Sequence, residues 1–288
     1  MDKSDQTNTL NGVYKTQLGD KEFKRLSSFI IEELGIKMPE VKRTMLQSRL
    51  QKRLNDIQKS SFKEYLDFVF SREGESERTV MMDIVTTNKT DFFREPGHFD
   101  FLAETMLPEY VTVTKKPILK VWSAGCSSGE EPYTLAIVLS EFREKCKDFD
   151  FHITATDIST RMLLKAETAI YAEERVAPVT ESLKRKYLLK SKNLQSRTVR
   201  MVPELRTKVN FGRLNFMDDD YKVNGLFDVI FCRNVLIYFD RQTQEDVINK
   251  LCTKLKPGGY FYLGHSESIT NFKVPLKQVK STIFIKNL

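Results

Sequence analysis

The sequence predicts an α/β fold built on a mainly parallel sheet and entered through a small all-helical domain. Three observations lead there. Apolar residues recur at three- and four-residue steps over about the first 105 residues. Past Pro108, short apolar runs alternate with helical segments, the pattern of a sheet buried between helices. The first of those runs breaks into a turn of small residues, Ser123-Ala-Gly-Cys-Ser-Ser-Gly129, and restarts as a helix.

Residues 1–18 are polar and read as a flexible tail. From Asp20, the residues Phe23, Leu26, Phe29–Ile31 and Leu34 make one helix, which Gly35 stops. A second helix follows Pro39, with Leu46, Leu50, Leu54 and Ile57 as its apolar stripe. On a helical wheel Lys42, Arg49 and Arg53 fall together beside that stripe as one basic edge. Helices are expected at Ser61–Arg72 and Glu77–Thr86, and a short one begins near Glu95.

Strands are expected at Ile118–Ser123, His152–Thr156, Val209–Leu214, Asp228–Cys232 and Tyr260–Gly264. Helices fall between them at Glu130–Lys145, Thr160–Ala169 and Arg241–Leu255, and Leu276–Val279 with Thr282–Lys286 reads as a closing hairpin. Between Ala169 and Val209 lie a helical piece, Thr180–Tyr187, and two alternating runs, Tyr187–Lys190 and Thr198–Val202. That is too long for a plain crossover, so an inserted β-subdomain is expected at about 176–208. The expected division is a tail 1–18, a helical domain with linker 19–108, and a second domain 109–288.

Composition narrows the class. The chain has 288 residues, 40% of them hydrophobic, enough for a sizeable core. No apolar run approaches the ~20 residues that span a bilayer, and MDKSDQTNTLNGVYK has no signal-peptide core. A cytoplasmic protein without membrane insertion is expected. The four cysteines are far apart, none in a CxxC, and there are three histidines. Neither a metal site nor a disulfide framework is expected, and the thiols read as reduced, two of them buried. The net charge of +7 is dispersed, which on composition alone describes a solvated surface.

The features that bear chemistry fall at strand ends, where open α/β sheets bind ligands. Asp157 ends the second strand, where a carboxylate accepts hydrogen bonds from ribose hydroxyls; the alternative is a helix N-cap. The third strand ends at Asn215 and the fourth at Arg233-Asn234. A dinucleotide site wants GxGxxG and a helix N-terminus free for pyrophosphate. Here the turn carries only Gly125 and Gly129, and Glu130 and Glu131 open the helix. A cationic nucleoside without phosphate fits better, and S-adenosylmethionine is such a ligand; Glu131 as a cap of its own helix is the alternative. Lys256-Pro-Gly-Gly259 before an apolar run recurs in methyltransferases, and the absence of [DN]PP[YF] counts against methylation of base amino groups.

The stretches TTNKTDFFRE (Thr86–Glu95), VWSAGCSSGEEPYTLAI (Val121–Ile137), ATDIS (Ala155–Ser159), FDVIFCRNVLIYFD (Phe227–Asp240) and LKPGGYFYLGHSES (Leu255–Ser268) resemble chemotaxis receptor methyltransferases of the CheR type. The resemblance runs from about Asp20 to the C-terminus and rests most on NxTxFFR and FCRNVxIYF taken together. It implies a Rossmann-like S-adenosylmethionine-dependent domain with a mostly parallel seven-stranded sheet, an inserted β-subdomain and a helical N-terminal domain. By motif position it implies cofactor contacts from Asn88, Thr90, Arg94, Gly125, Glu131, Asp157, Asn215, Phe216, Arg233 and Asn234. Arg94 and Tyr238 would orient the incoming glutamate carboxylate.

The implied reaction forms glutamyl methyl esters on transmembrane chemoreceptors and leaves S-adenosylhomocysteine. The implied partner is the receptor's cytoplasmic domain, met by the basic edge Lys42, Arg49, Lys52 and Arg53, with no nucleic acid and a monomeric enzyme. Some family members clasp a receptor peptide through a glycine-containing loop of the inserted subdomain. Lys190–Arg197 has no glycine, which counts against that tether. The competing readings are a methyltransferase for another protein, RNA or a small molecule, and a cofactor-binding regulatory protein.

Overall fold

The structure is a computed structural model that describes residues 16–114, 118–193 and 195–288. The chain divides into two compact units: the described residues up to Glu33 with Lys37–Thr87, and Leu34–Ile36 with Asn88–Leu288. The division falls at Thr87/Asn88, whereas the sequence reading places it after Pro108. Most of the expected tail, residues 1–15, lies outside the described residues.

The first unit holds α1 (Asp20–Leu34), α2 (Arg43–Asp56), α3 (Phe62–Val69) and α4 (Glu75–Val85). The apolar spacing in the sequence becomes its core. Phe23, Leu26 and Ile30 of α1, Leu46, Leu50 and Leu54 of α2, and Tyr65 and Leu66 of α3 are buried. The start of α3 is fixed locally, because the Ser61 hydroxyl accepts from the Glu64 N–H and the Glu64 carboxylate accepts from the Ser60 N–H.

In the second unit a helical run replaces the short helix expected near Glu95. It comprises α5 (Gly97–Phe101), a π-helical turn (Leu102–Met106) and α6 (Leu107–Val113). Pro108 lies in the first turn of α6 and ends nothing. A proline lacks the N–H of the ladder, and the wide turn just before it carries that loss. Strand β1 (Ile118–Ala124) then leads through α7 (Glu130–Lys145), β2 (Asp150–Asp157) and α8 (Thr160–Thr168) to β3 (Ile170–Ala172). After a 3-10 turn (Glu173–Val176) come α9 (Glu181–Tyr187), β4 (Leu188–Lys190), β5 (Thr198–Met201), α10 (Pro203–Arg206) and β6 (Val209–Arg213). The chain ends with β7 (Phe227–Cys232), α11 (Arg241–Thr253), β8 (Leu255–Leu263), β9 (Leu276–Lys280) and β10 (Ile283–Lys286).

Seven strands form one sheet in the order β6-β2-β1-β7-β8-β10-β9. The first five run parallel, and β10 pairs antiparallel with β8 and β9. Alternation along the strands supplies two cores. Val121, Val229 and Phe231 face one side with Ile137 and Ile153, while Trp122, Ile230 and Cys232 face the other with Leu251 and Phe261. Pro257-Gly258-Gly259 does not precede β8 but lies inside it, at a register irregularity opposite Phe227–Val229. The three strands β3-β5-β4 form a separate antiparallel sheet. Its first strand precedes the bounds expected for the insertion. Three cysteines, not two, are buried (Cys126, Cys232 and Cys252), and all four are free. No helix among the described residues is long and apolar enough to cross a membrane.

Candidate active site

The chain leaves β1 toward β2 and β6 on one side, and returns to β7 on the other. The carboxyl ends of β1 and β7 therefore splay around a crevice. In-register pairing sets Ala124 beside Thr156, Ser123 beside Phe231 and Cys232 beside Leu263. The turns that follow these residues converge on one region of the second unit.

The turn after β1 is anchored from β2, since the N–H groups of Gly125 and Cys126 both donate to the Thr156 carbonyl. Gly125 and Gly129 have φ values of 89° and 96°. A Cβ at Gly125 would lie 2.4 Å from the Val235 side chain, and one at Gly129 would lie 2.8 Å from the Tyr171 hydroxyl. What the structure shows for these glycines is left-handed backbone and close packing on protein. Asp157 is not a helix cap. Ser159 caps α8 by accepting from Met162, and Asp157 instead accepts from the N–H groups of Ser127 (2.8 Å) and Ser159 (2.9 Å). The carboxylate thus holds the β1 turn against the end of β2.

Glu131 does not cap α7 either, since the N-cap of that helix is Gly129, without a side-chain cap bond. Its carboxylate accepts from the Ser123 hydroxyl at 2.7 Å and lies 3.6 Å from an Arg233 nitrogen. Burial pushes its pKa up, and the charge of Arg233 opposes that rise. Glu130 is fully buried and pairs with Arg175 at 2.8 Å.

The segment Asn88–Glu95 crosses the same region. The Asn88 carbonyl accepts from the Ser127 hydroxyl, Phe93 N–H donates to Thr134, and Phe92 is buried. Arg94 donates to the Lys89 carbonyl, and its own carbonyl accepts from Arg233. The Arg233 side chain is itself 2% exposed. It lies 3.3 Å from Glu95 and 5.3 Å above the Phe99 ring, while Nε and Nη1 make no hydrogen bond among the described residues. Asn234 takes a left-handed φ of 59° and donates to Glu95 at 3.2 Å. Asn215 makes a local turn, its side-chain oxygen accepting from Met217 N–H. The carbonyl of Phe216 takes Tyr221 and Lys250, and Tyr238 packs half-buried beside the second core.

Three residues outside the expected set hold this region together. Glu267 is buried and accepts from the N–H groups of Asn234 (2.9 Å), Leu236 (2.8 Å) and Gly264 (2.7 Å). Burial pushes its pKa up even against those donors. For Glu95, burial alone would raise the pKa, but Arg233 and the Asn234 and His265 donors bring it below the usual range. The third is Arg175, whose partners are Glu130, Asp91 and the Thr90 carbonyl. Glu267 had a signal in LGHSES, a carboxylate just past a strand end; Arg175, 84 residues from Asp91, had none. Glu95, His98 and His265 bring possible metal-ligand atoms within 4.8 Å of one another. Arg233 already balances that Glu95 charge, so the electrostatics disfavour a cation there.

The basic edge lies in the first unit and is not a row of projecting cations. Arg53 donates through Nε to Glu77 at 2.8 Å and makes a second bond to the same buried carboxylate, which also accepts from Tyr65. Arg49 caps the end of α4, donating to the Val85 and Thr86 carbonyls at 2.9 Å each. Lys52 is exposed, and Lys42 donates to the Lys37 carbonyl. The helical wheel places Lys42, Arg49 and Arg53 on one edge, but α4 takes Arg49 and Arg53.

Residues fitting S-adenosylmethionine are present. Two carboxylates, Glu131 and Asp157, stand where a phosphate-binding turn would offer N–H groups, which matches a cation with ribose hydroxyls and no phosphate. Comparison with known proteins agrees. Residues 88–285 match the family model described as CheR methyltransferase, SAM binding domain, and residues 21–86 match CheR methyltransferase, all-alpha domain. A chemotaxis protein methyltransferase of Borreliella burgdorferi is 38% identical over 270 residues, covering 92% of this chain and 94% of that protein. Proteins of the same description from Salmonella typhimurium and Escherichia coli are each 35% identical, over 93% and 89% of this chain and 91% and 87% of their own.

Proposed function

The chain belongs to the CheR methyltransferase family, and we propose from that premise that it is a protein-glutamate O-methyltransferase acting on chemoreceptors. The observation that carries the reading is the placement of Glu131 and Asp157 around one turn, beside Asn88–Arg94 and Arg233-Asn234. S-adenosylmethionine supplies an activated methyl group on a sulfonium. In this reading Glu131 faces the cationic end, Asp157 the ribose, and Asn88, Thr90, Arg94, Gly125, Asn215, Phe216, Arg233 and Asn234 complete the pocket.

A substrate glutamate is ionised near neutral pH, so the site needs no general base. The work left to the protein is alignment and exclusion of water, and proximity supplies on the order of 7–11 kcal/mol in favourable cases. Arg94 and Tyr238 would orient the carboxylate, Arg94 through its planar fork and Tyr238 through one further donor. The proposed receptor-facing surface is the α2 edge, where Lys52 and Lys42 supply charge and Arg49 and Arg53 hold the helix that presents it.

The direct test incubates the protein with methyl-labelled S-adenosylmethionine and receptor-containing membranes. Base-labile label on receptor glutamates is the expected result. Cofactor binding without transfer to any receptor would sink the reading.

A further inference from the structure

The small sheet β3-β5-β4 is joined to the candidate site by two side chains at its root. The Tyr171 hydroxyl in β3 donates to the Ser128 carbonyl in the turn after β1 at 2.8 Å, and its ring meets Phe92 edge-on at 5.0 Å. Arg175, in the 3-10 turn after β3, spreads one guanidinium over three partners. Nη1 donates to the Asp91 carboxylate at 2.9 Å, while Nη2 reaches the Thr90 carbonyl and the Glu130 carboxylate, the last at 2.8 Å. Glu130 is 1% exposed, and its other oxygen accepts from the Ser128 hydroxyl at 2.7 Å. The three partners come from two segments distant in sequence, the strap Asn88–Arg94 and the first turn of α7.

We propose that Arg175 is a positioning residue that locks the strap Asn88–Arg94 against the β1 turn, making the small sheet a buttress of the cofactor site. A planar fork suits this role because it satisfies a buried carboxylate, a second carboxylate and a carbonyl from one rigid group, which a lysine ammonium on a flexible stem does not. The inference rests on the reading of the strap as cofactor contacts. Its consequence is that displacement of the small sheet changes cofactor affinity through the strap.

The test uses the full chain. Arg175→Lys keeps a charge beside Glu130 but loses the fork, and Arg175→Met with Glu130→Gln removes both charges together, so neither leaves a buried ion alone. In ligand-free protein, hydrogen exchange at the amides of Thr90–Arg94 should rise about tenfold in both variants. The dissociation constant for S-adenosylhomocysteine, measured by calorimetry, should rise about tenfold, with KM for S-adenosylmethionine following it. Unchanged exchange at Thr90–Arg94 overturns the proposal. So does faster exchange with unchanged affinity, provided Asn88→Ala weakens binding. If Asn88→Ala and Arg94→Ala both leave S-adenosylhomocysteine affinity unchanged, the strap's cofactor role itself fails, whatever the exchange data show.

Discussion

At the residue scale, the candidate site is governed by buried charges held by backbone donors and by one another. Asp157 gives both oxygens to N–H groups, of Ser127 and Ser159. Asp157→Ala should therefore lower stability by about 1–3 kcal/mol, because two buried donors lose their acceptor. Calorimetry should show S-adenosylhomocysteine affinity falling with it. His98 makes a different prediction. Burial, and next the charge of Arg233, lower its pKa to about 4, with His265 and Lys280 adding to the fall and Glu95 opposing it. An unfolded histidine protonates near pH 6.5 and the folded one does not until about 4, so the stability is present above that range and lost as pH falls through it. Urea denaturation at pH 7 and pH 5 should show a loss on the order of 2 kcal/mol in the parent that His98→Gln reduces.

At the element scale, the helices and strands follow from spacing and caps, and their use follows from what packs on them. Arg53 on α2 pairs with Glu77 on α4, whose side chain is 6% exposed. Arg53→Glu should destabilise the first unit by about 2–3 kcal/mol, while Lys52→Glu should change stability by less than about 0.5 kcal/mol. Receptor methylation tested with Lys52→Glu therefore reports docking, whereas loss of activity in Arg53→Glu reports unfolding. The turn after β1 has a similar logic. Gly129→Ala would meet the Tyr171 hydroxyl and Ala166 with a left-handed φ, a loss of about 1–3 kcal/mol by thermal denaturation.

At the scale of the whole molecule, charge is the relevant quantity. The chain carries a net +7, a long-range attraction for an acidic partner. Raising ionic strength from about 0.05 to 0.5 M should lower kcat/KM for receptor several-fold by slowing encounter. Affinity for S-adenosylhomocysteine, held by short-range contacts, should change much less. An equal salt response of both constants would place the effect in the cofactor site and not in receptor encounter.

The sequence by itself determined the class of fold, the five parallel strands with the longer helices between them, and the acids that open the helix after β1. Those are local properties: period, caps, and acids where a phosphate site needs N–H groups. Helix α7 illustrates this, its bounds Glu130–Lys145 being the same in pattern and in structure. Only the tertiary structure decided which polar groups spend themselves on protein. It turned Arg49 and Arg53 inward onto α4, made Asp157 and Glu267 acceptors for turns, and set Arg175 among partners 45 and 84 residues away. A buried charge must find its counter-charge or donors wherever the packed chain brings them. That pairing is a property of three-dimensional proximity, which no short stretch of sequence encodes.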